Sequence, residues 1–437
     1  MAGWIDRLKA DPIPWLLEES EPAVRHQTLR LLLDRPANDP EVVAASEAAM
    51  RSDPIAAILA AQSPEGWWVR PGNGYQPKYT STVWQVMFLD QMGADGHDPR
   101  VRAGCEYILG HSQAAGGGFS FRGQVIGSPE PSGVAHCLNG NLLRALIGFG
   151  WLDDPRVQAS LDWQTASITG DGVIRFCQSA TSGPGFRCAM NYGDPCAWGA
   201  VKALLALARV PAHLRTPNVA RAIEQGTDFL LSRDPAIADY PMGPNATPSG
   251  SWFKLGFPVG YITDVLQTLE ALCEAGAAED PRLDSAVQWV IDQQNAAGRW
   301  SNRHSYASQT AVKFEAARGS SKWVTLRACG VLKAMAGDTK SRRPVAPALR
   351  DLPRGRSRKL CRFRAWPRVG RLAVARLREF ESLASVFDEV EDLRQVTVGQ
   401  ADDCVCAAVV DGQATGRSIQ QSRAREDDVR DIPDLLV

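Results

Sequence analysis

Cys177, Cys188 and Cys196 crowd into one stretch of the 437-residue chain, and His136 and Cys137 precede them by one apolar segment. Aligning two such segments on their Ala-Leu pairs, Ala145-Leu146 with Ala206-Leu207, brings His136 and Cys137 level with Cys196. Thiolate sulfur and imidazole nitrogen suit tetrahedral zinc, so these residues could hold Zn2+. The spacing is irregular and lacks a Cys-x-x-Cys pair. The alternative is a group of ordinary thiols, because cysteine is among the residues most often buried.

Aromatic residues recur where the apolar segments begin: Tyr75, Tyr79, Trp84, Trp198, Trp252, Phe253, Phe257, Tyr261 and Trp323. Their ring faces could line an apolar cavity and stabilise a cation there, or they could simply fill a core. Lys78, Lys202, Arg303 and Lys322 could meet an anionic group such as a diphosphate. Their alternative is plain solvated charge.

A repeat must position these groups. Asp-Pro-Arg-Val begins at Asp98 and at Asp154, Asp-Pro-Arg-Leu at Asp280, and Asp-Pro-Glu-Val at Asp39. Asp accepts hydrogen bonds from the free amides of a first helical turn, and Pro fits the first helical position. A Gln-x-x-x-Gly-x-aromatic element follows at Gln62-Gly66-Trp68, Gln113-Gly117-Phe119 and Gln294-Gly298-Trp300. Gly ends the helix, the ring packs under the turn, and the Gln amide can bond backbone groups that helix ends leave unpaired.

More apolar segments then run from Tyr79 to Gly93, Val134 to Gly150, Cys196 to Val210, Tyr261 to Gly276 and Lys322 to Gly337. The asymmetry predicts buried inner helices and water-facing outer ones. The expected fold is all-α, an (α/α) toroid of five to six helix-hairpin repeats, with an open solenoid as the alternative. Residues 1–38 read as a helical lead-in, residues 39–339 as the repeat domain, and residues 340–437 as a basic-then-acidic tail.

Bulk composition excludes little. The chain is 44% hydrophobic and 22% charged with a net charge of −1, so no global imbalance recruits nucleic acid. No apolar run approaches the roughly 20 residues of a membrane span, and the first residues lack an apolar signal core. The expectation is a cytoplasmic protein with at most peripheral membrane contact and no nucleic-acid partner.

The Gln-x-x-x-Gly-x-Trp element resembles the signature turn of squalene-hopene cyclases and other terpene cyclases, across residues 54–337. That resemblance implies an isoprenoid-binding enzyme working in a central hydrophobic cavity. It also implies an acid motif, Asp-x-Asp-Asp, which is absent; the nearest counterpart, Tyr261-Ile262-Thr263-Asp264, offers Asp264 alone as an acid or a helix cap. The related protein prenyltransferase β subunits ligate zinc through Asp-x-Cys, which Asp194-Pro195-Cys196 resembles, making Asp194 a further candidate ligand or catalytic group. Their later zinc-binding His has no counterpart in Lys322–Arg327. The expected partner is an isoprenoid or other hydrophobic small molecule; the alternative is a non-catalytic toroid that binds a lipid, peptide or protein.

Overall fold

A computed structural model of the chain describes residues 3–123, 129–171, 179–244, 247–306, 308–315 and 319–337. Cys177 and the tail from residue 340 lie outside them. Met1–Arg350 form one compact unit, to which every described residue belongs. The described residues are predominantly helical, with one small antiparallel ribbon, β1 (Ser182–Gly183) and β2 (Arg187–Cys188).

After short α1 (Ile13–Leu16), helix α2 (Pro22–Gln27) continues through a wider turn, Thr28–Leu32. Outer α3 (Pro40–Met50) and α4 (Ile55–Ala60) lead to inner α5 (Thr82–Gln91), outer α6 (Pro99–His111) to inner α7 (His136–Gly148), and outer α8 (Pro155–Thr169) to inner α9 (Ala197–Ala208). Outer α10 (Pro217–Leu230) and α12 (Asp284–Asp292) precede inner α11 (Val265–Glu274) and α13 (Lys322–Met335).

The Asp-Pro signals act as expected. Asp39, Asp98 and Asp154 accept hydrogen bonds from Glu41 N, Arg100 N and Arg156 N at helix starts, with Pro at the first position. Asp280 caps a short 3-10 turn, Pro281–Leu283, that leads into α12. Helix α10 starts differently, with Thr216 as the cap and Pro217 next, which is why an Asp-Pro search passes over it.

Inner and outer helices differ in burial as the composition predicted. Every residue of α5 from Thr82 to Leu89 is buried, whereas α10 buries a stripe of Val219, Ala222, Ile223, Gly226 and Leu230 at helical spacing. Each inner helix packs on the next, α5 on α7, α7 on α9, α9 on α11 and α11 on α13. Helix α13 packs in turn on α2 and its continuation, and Gln27 Nε2 donates to Gln91 O of α5 at 2.9 Å. The inner helices are therefore packed in succession, and α2 and its continuation meet both α13 and, through Gln27, α5.

The glycine turns join one outer helix to the next. Gln62 Nε2 donates to Gly66 O of its own turn at 3.2 Å and to Arg100 O, in the first turn of α6, at 2.9 Å. Gln113 repeats this with Gly117 O and, in α8, Arg156 O at 2.6 Å. The turns press so closely on the following helix that a Cβ on Gly66 would lie 2.5 Å from Ala103 O, and one on Gly117 2.3 Å from Ala159 O. At the last turn the amino-terminal segment takes the place of the next helix: Lys9 N donates to Gln294 Oε1 at 3.0 Å, and a Cβ on Gly298 would lie 2.0 Å from Ala10 O.

The turn aromatics are fully structural. Trp68 Nε1 and Trp300 Nε1 each donate at 2.7 Å to a carbonyl of the preceding outer helix, Ile58 O and Val290 O. The backbone amides of Trp68, Phe119 and Trp300 donate to Thr82 Oγ1, Asn139 Oδ1 and Thr325 Oγ1 of the inner helices.

Gly117→Ala should therefore cost more than Gly150→Ala. The first meets both a positive φ of 101° and the Ala159 carbonyl; the second has a positive φ of 81° and open space. A strained φ alone costs about 1–3 kcal/mol. Denaturant midpoints that fall equally for the two variants would contradict the close-approach account.

Candidate functional site

A cavity of about 610 Å3 is lined by α2 and its continuation together with α5, α7, α9, α11 and α13. Its wall comes largely from the carboxyl-terminal ends of the inner helices, through Gln91, Arg144, Arg209, Glu274 and Ala334. The apolar part includes Met87, Phe257, Val259, Trp323, Leu326 and Val331. Gly330 also lines it, and a Cβ there would meet nothing within 4 Å.

Helix carboxyl termini carry partial negative charge, and several meeting around one hollow call for cations. Arg209 Nη1 donates to Arg144 O at 3.0 Å and pairs with Asp90 at 2.6 Å. Arg144 pairs with Glu274 at 3.2 Å, and Lys333 donates to Leu31 O at 2.9 Å and pairs with Asp34. Arg327 grips Glu270 with two hydrogen bonds of 2.8 and 2.7 Å and donates to Gly256 O. These residues interrupt otherwise apolar inner helices, a signal in the sequence that would have marked them.

Asp264 lies at the other end of α11. Its Oδ1 accepts from Gln267 N at 2.7 Å, capping the helix, and its Oδ2 accepts from Gly256 N at 3.0 Å, while Arg327 stands 3.8 Å away. Burial raises its pKa, opposed by Arg327. With Tyr306 and His304 it borders a void of only about 10 Å3, room for about one water.

Most of the expected cavity aromatics pack on one another. Tyr79 stacks on Tyr306 at 4.5 Å and touches Trp84 at 4.5 Å, and Trp84 meets Tyr261 edge-on at 5.2 Å. These rings form a buried plug near the amino-terminal ends of α5 and α11. Trp252 packs on Tyr240 at 5.3 Å, and Trp198 is half-buried on α9. Trp323 lines the cavity, stacked on Phe257 at 4.4 Å. Of these rings Trp323 and Phe257 line the hollow while Tyr79, Trp84 and Tyr261 do not, a distinction that spacing cannot convey.

Among the described residues, no three of His, Cys, Asp and Glu come together in a way that could hold a metal ion. The donors of His136 are spent elsewhere: Nδ1 faces Gln164 Nε2 at 2.9 Å and Ser167 Oγ at 3.2 Å, and Nε2 faces Gly183 O at 3.0 Å. Burial pushes its pKa down to about 4. The interaction with Cys188 lowers the Cys196 pKa, and burial pushes the nearby Cys137 thiol up to about 12. Asp194 is exposed at the hairpin turn. The described residues do not fit a zinc site, and no step is assigned to one.

Of the cations expected to meet a diphosphate, Lys202 is buried in α9, its ammonium donating to Gln267 Oε1 and, at 3.3 Å, to Ile262 O. Lys322 pairs with Glu18 at 2.8 Å. Neither these nor Lys78 and Arg303 line the hollow.

Burial pushes the Lys202 amine down to about 7 from 10.5. Between those values the unfolded chain binds more protons than the fold, so this lysine's contribution to stability rises with pH and is lowest below pH 7. Lys202→Met should accordingly stabilise the protein most at pH 7, with an advantage that shrinks towards pH 10. Unfolding midpoints across that range would show it, and a constant difference would contradict it.

No family model matches the chain, and no curated protein matches its sequence. Solved structures with a distant likeness include a protein from Actinoplanes, at 12% identity and TM-score 0.37, covering 73% of this chain and 90% of that one. Another is the type II terpene cyclase MstE from Scytonema without ligand, at 13% identity and TM-score 0.36, covering 73% and 88%. A variant of that cyclase in complex with geranylgeranyl dihydroxybenzoate matches at 12% identity and TM-score 0.24, covering 65% and 94%. Each of these likenesses is distant, with a TM-score below 0.5.

Proposed function

We propose that this chain binds an elongated, mainly apolar molecule of isoprenoid type in the hollow between its inner helices. The observation that carries the reading is the cavity of about 610 Å3, bounded by all the inner helices and partly walled by Met87, Phe257, Val259, Trp323 and Leu326. Small-molecule sites are commonly concave, of this size and largely apolar, with a few polar groups that orient the ligand. The turn element that resembles the cyclase signature points to the same ligand class.

Electrostatics narrow the ligand's head. The wall cations Arg144, Arg209 and Arg327 each hold a wall carboxylate, and Lys333 holds Asp34. A diphosphate would have to displace those partners amid helix carboxyl termini that repel anions. A neutral head, such as an alcohol or phenol, can instead bond carbonyls and amides of the wall without disturbing the pairs. Because wall carboxylates Asp90, Glu270 and Glu274 are held by guanidinium groups, binding is assigned here and proton donation is not.

Gly330→Leu provides the test. Its side chain would project into open space in the hollow, and leucine also favours the helix over glycine. A fluorescent farnesyl or geranylgeranyl alcohol analogue should bind the native protein at micromolar concentration and lose at least about tenfold in affinity, roughly 1.4 kcal/mol, to the variant. The melting temperature should stay equal or rise. Native protein that binds no isoprenoid analogue, or a variant that binds as well as the native chain, would overturn the reading.

A further inference from the structure

The thiol pair at the start of α9 lies outside the cavity and has no part in ligand binding. Cys188 and Cys196 stand on the two arms of a tight hairpin. Arg187 bridges to Pro195, Cys188 N donates to Asp194 O at 3.1 Å, and Cys196 N donates to Phe186 O at 2.8 Å. Cys188 thus lies opposite Asp194, and Cys196, two residues further on, belongs to the same face of the ribbon. The two thiols are close enough to perturb each other, and the interaction with Cys188 lowers the Cys196 pKa.

Cys196 is also the cap of α9, its Sγ accepting from Gly199 N at 3.5 Å. A sulfur receiving a helix-start amide is well placed to carry negative charge. Both residues are half-buried, whereas Cys105 and Cys329 are buried.

We propose that Cys188 and Cys196 form a dithiol site oxidised by hydrogen peroxide, with Cys196 as the attacking thiol and Cys188 as the resolving one. Cys196 Sγ attacks one peroxide oxygen; the O–O bond breaks, the thiol proton leaves with the departing hydroxide as water, and Cys196 becomes a sulfenic acid. Cys188 Sγ then attacks that sulfur, the S–O bond breaks, and its proton leaves with the hydroxyl as a second water. Two thiols and one peroxide give one disulfide and two waters, the peroxide taking both electrons. The product staples the hairpin to the first turn of α9, and a dithiol reductant reverses it.

The test is peptide mapping of the full-length reduced protein after equimolar hydrogen peroxide, an acid quench, denaturation and alkylation. The expected result is a linked pair of peptides containing Cys188 and Cys196, lost on treatment with dithiothreitol. In Cys188→Ser the link should vanish and Cys196 should instead be labelled by a 1,3-dione that reacts with sulfenic acid. Should that variant fold poorly, the map of the native chain decides. Links that use Cys137 or Cys177 in place of this pair, or Cys188 and Cys196 still alkylated as free thiols, would overturn the proposal. A sulfenic acid found on Cys188 in Cys196→Ser would overturn the assignment of the attacking thiol.

Discussion

A backbone-to-backbone approach is the constraint on which this architecture rests. At Gly66 and Gly117 the turn that ends one outer helix lies so near a carbonyl of the next that no side chain fits between them. The neighbouring Gln amide then spans the joint, donating to its own turn and to the following helix. At these two joints the outer helices are thereby set at a fixed offset from one another. The inner helices pack each on the next, α5 on α7, α7 on α9, α9 on α11 and α11 on α13.

The last joint shows the same physics without the same sequence. After Gln294 and Gly298 no further outer helix follows among the described residues, and the amino-terminal segment at Lys9 and Ala10 fills the place. Trp15 adds to this contact, lying beneath the Arg299 guanidinium at 4.1 Å and near the Lys322 ammonium at 5.5 Å. The amino-terminal segment thus packs directly on the last glycine turn. At the helix amino ends, aromatic rings fill the space, and at the carboxyl ends, charged pairs surround a hollow.

Those two ends answer to different forces. Rings such as Tyr79, Trp84 and Tyr306 gain by excluding water and by stacking on one another. Carbonyls at helix carboxyl ends cannot be left bare, so Arg209 and Lys333 bond them directly, and carboxylates in turn hold those cations. Asp264 is subject to the same accounting at its end of α11, its oxygens taken by Gln267 N and Gly256 N.

What the sequence determined by itself was local. Asp-Pro caps, glycine turns and the contrast between apolar and amphipathic segments depend on a few neighbouring residues, so the all-α class, the repeat and most helix starts could be read directly. Helix α10 escaped that reading only because Thr216 and Pro217 cap it by a different pair. Tertiary structure alone decided which face of each inner helix meets the hollow and which residues share it. It separated Trp323 and Arg327 on the wall from Tyr79, Trp84 and Tyr261 in the plug, and turned the ring nitrogens of His136 towards Gln164, Ser167 and Gly183 rather than the thiols. The physical reason is that such groupings arise from the rotation and height of helices far apart in the chain, quantities set by packing across the whole fold and recorded in no short stretch of residues.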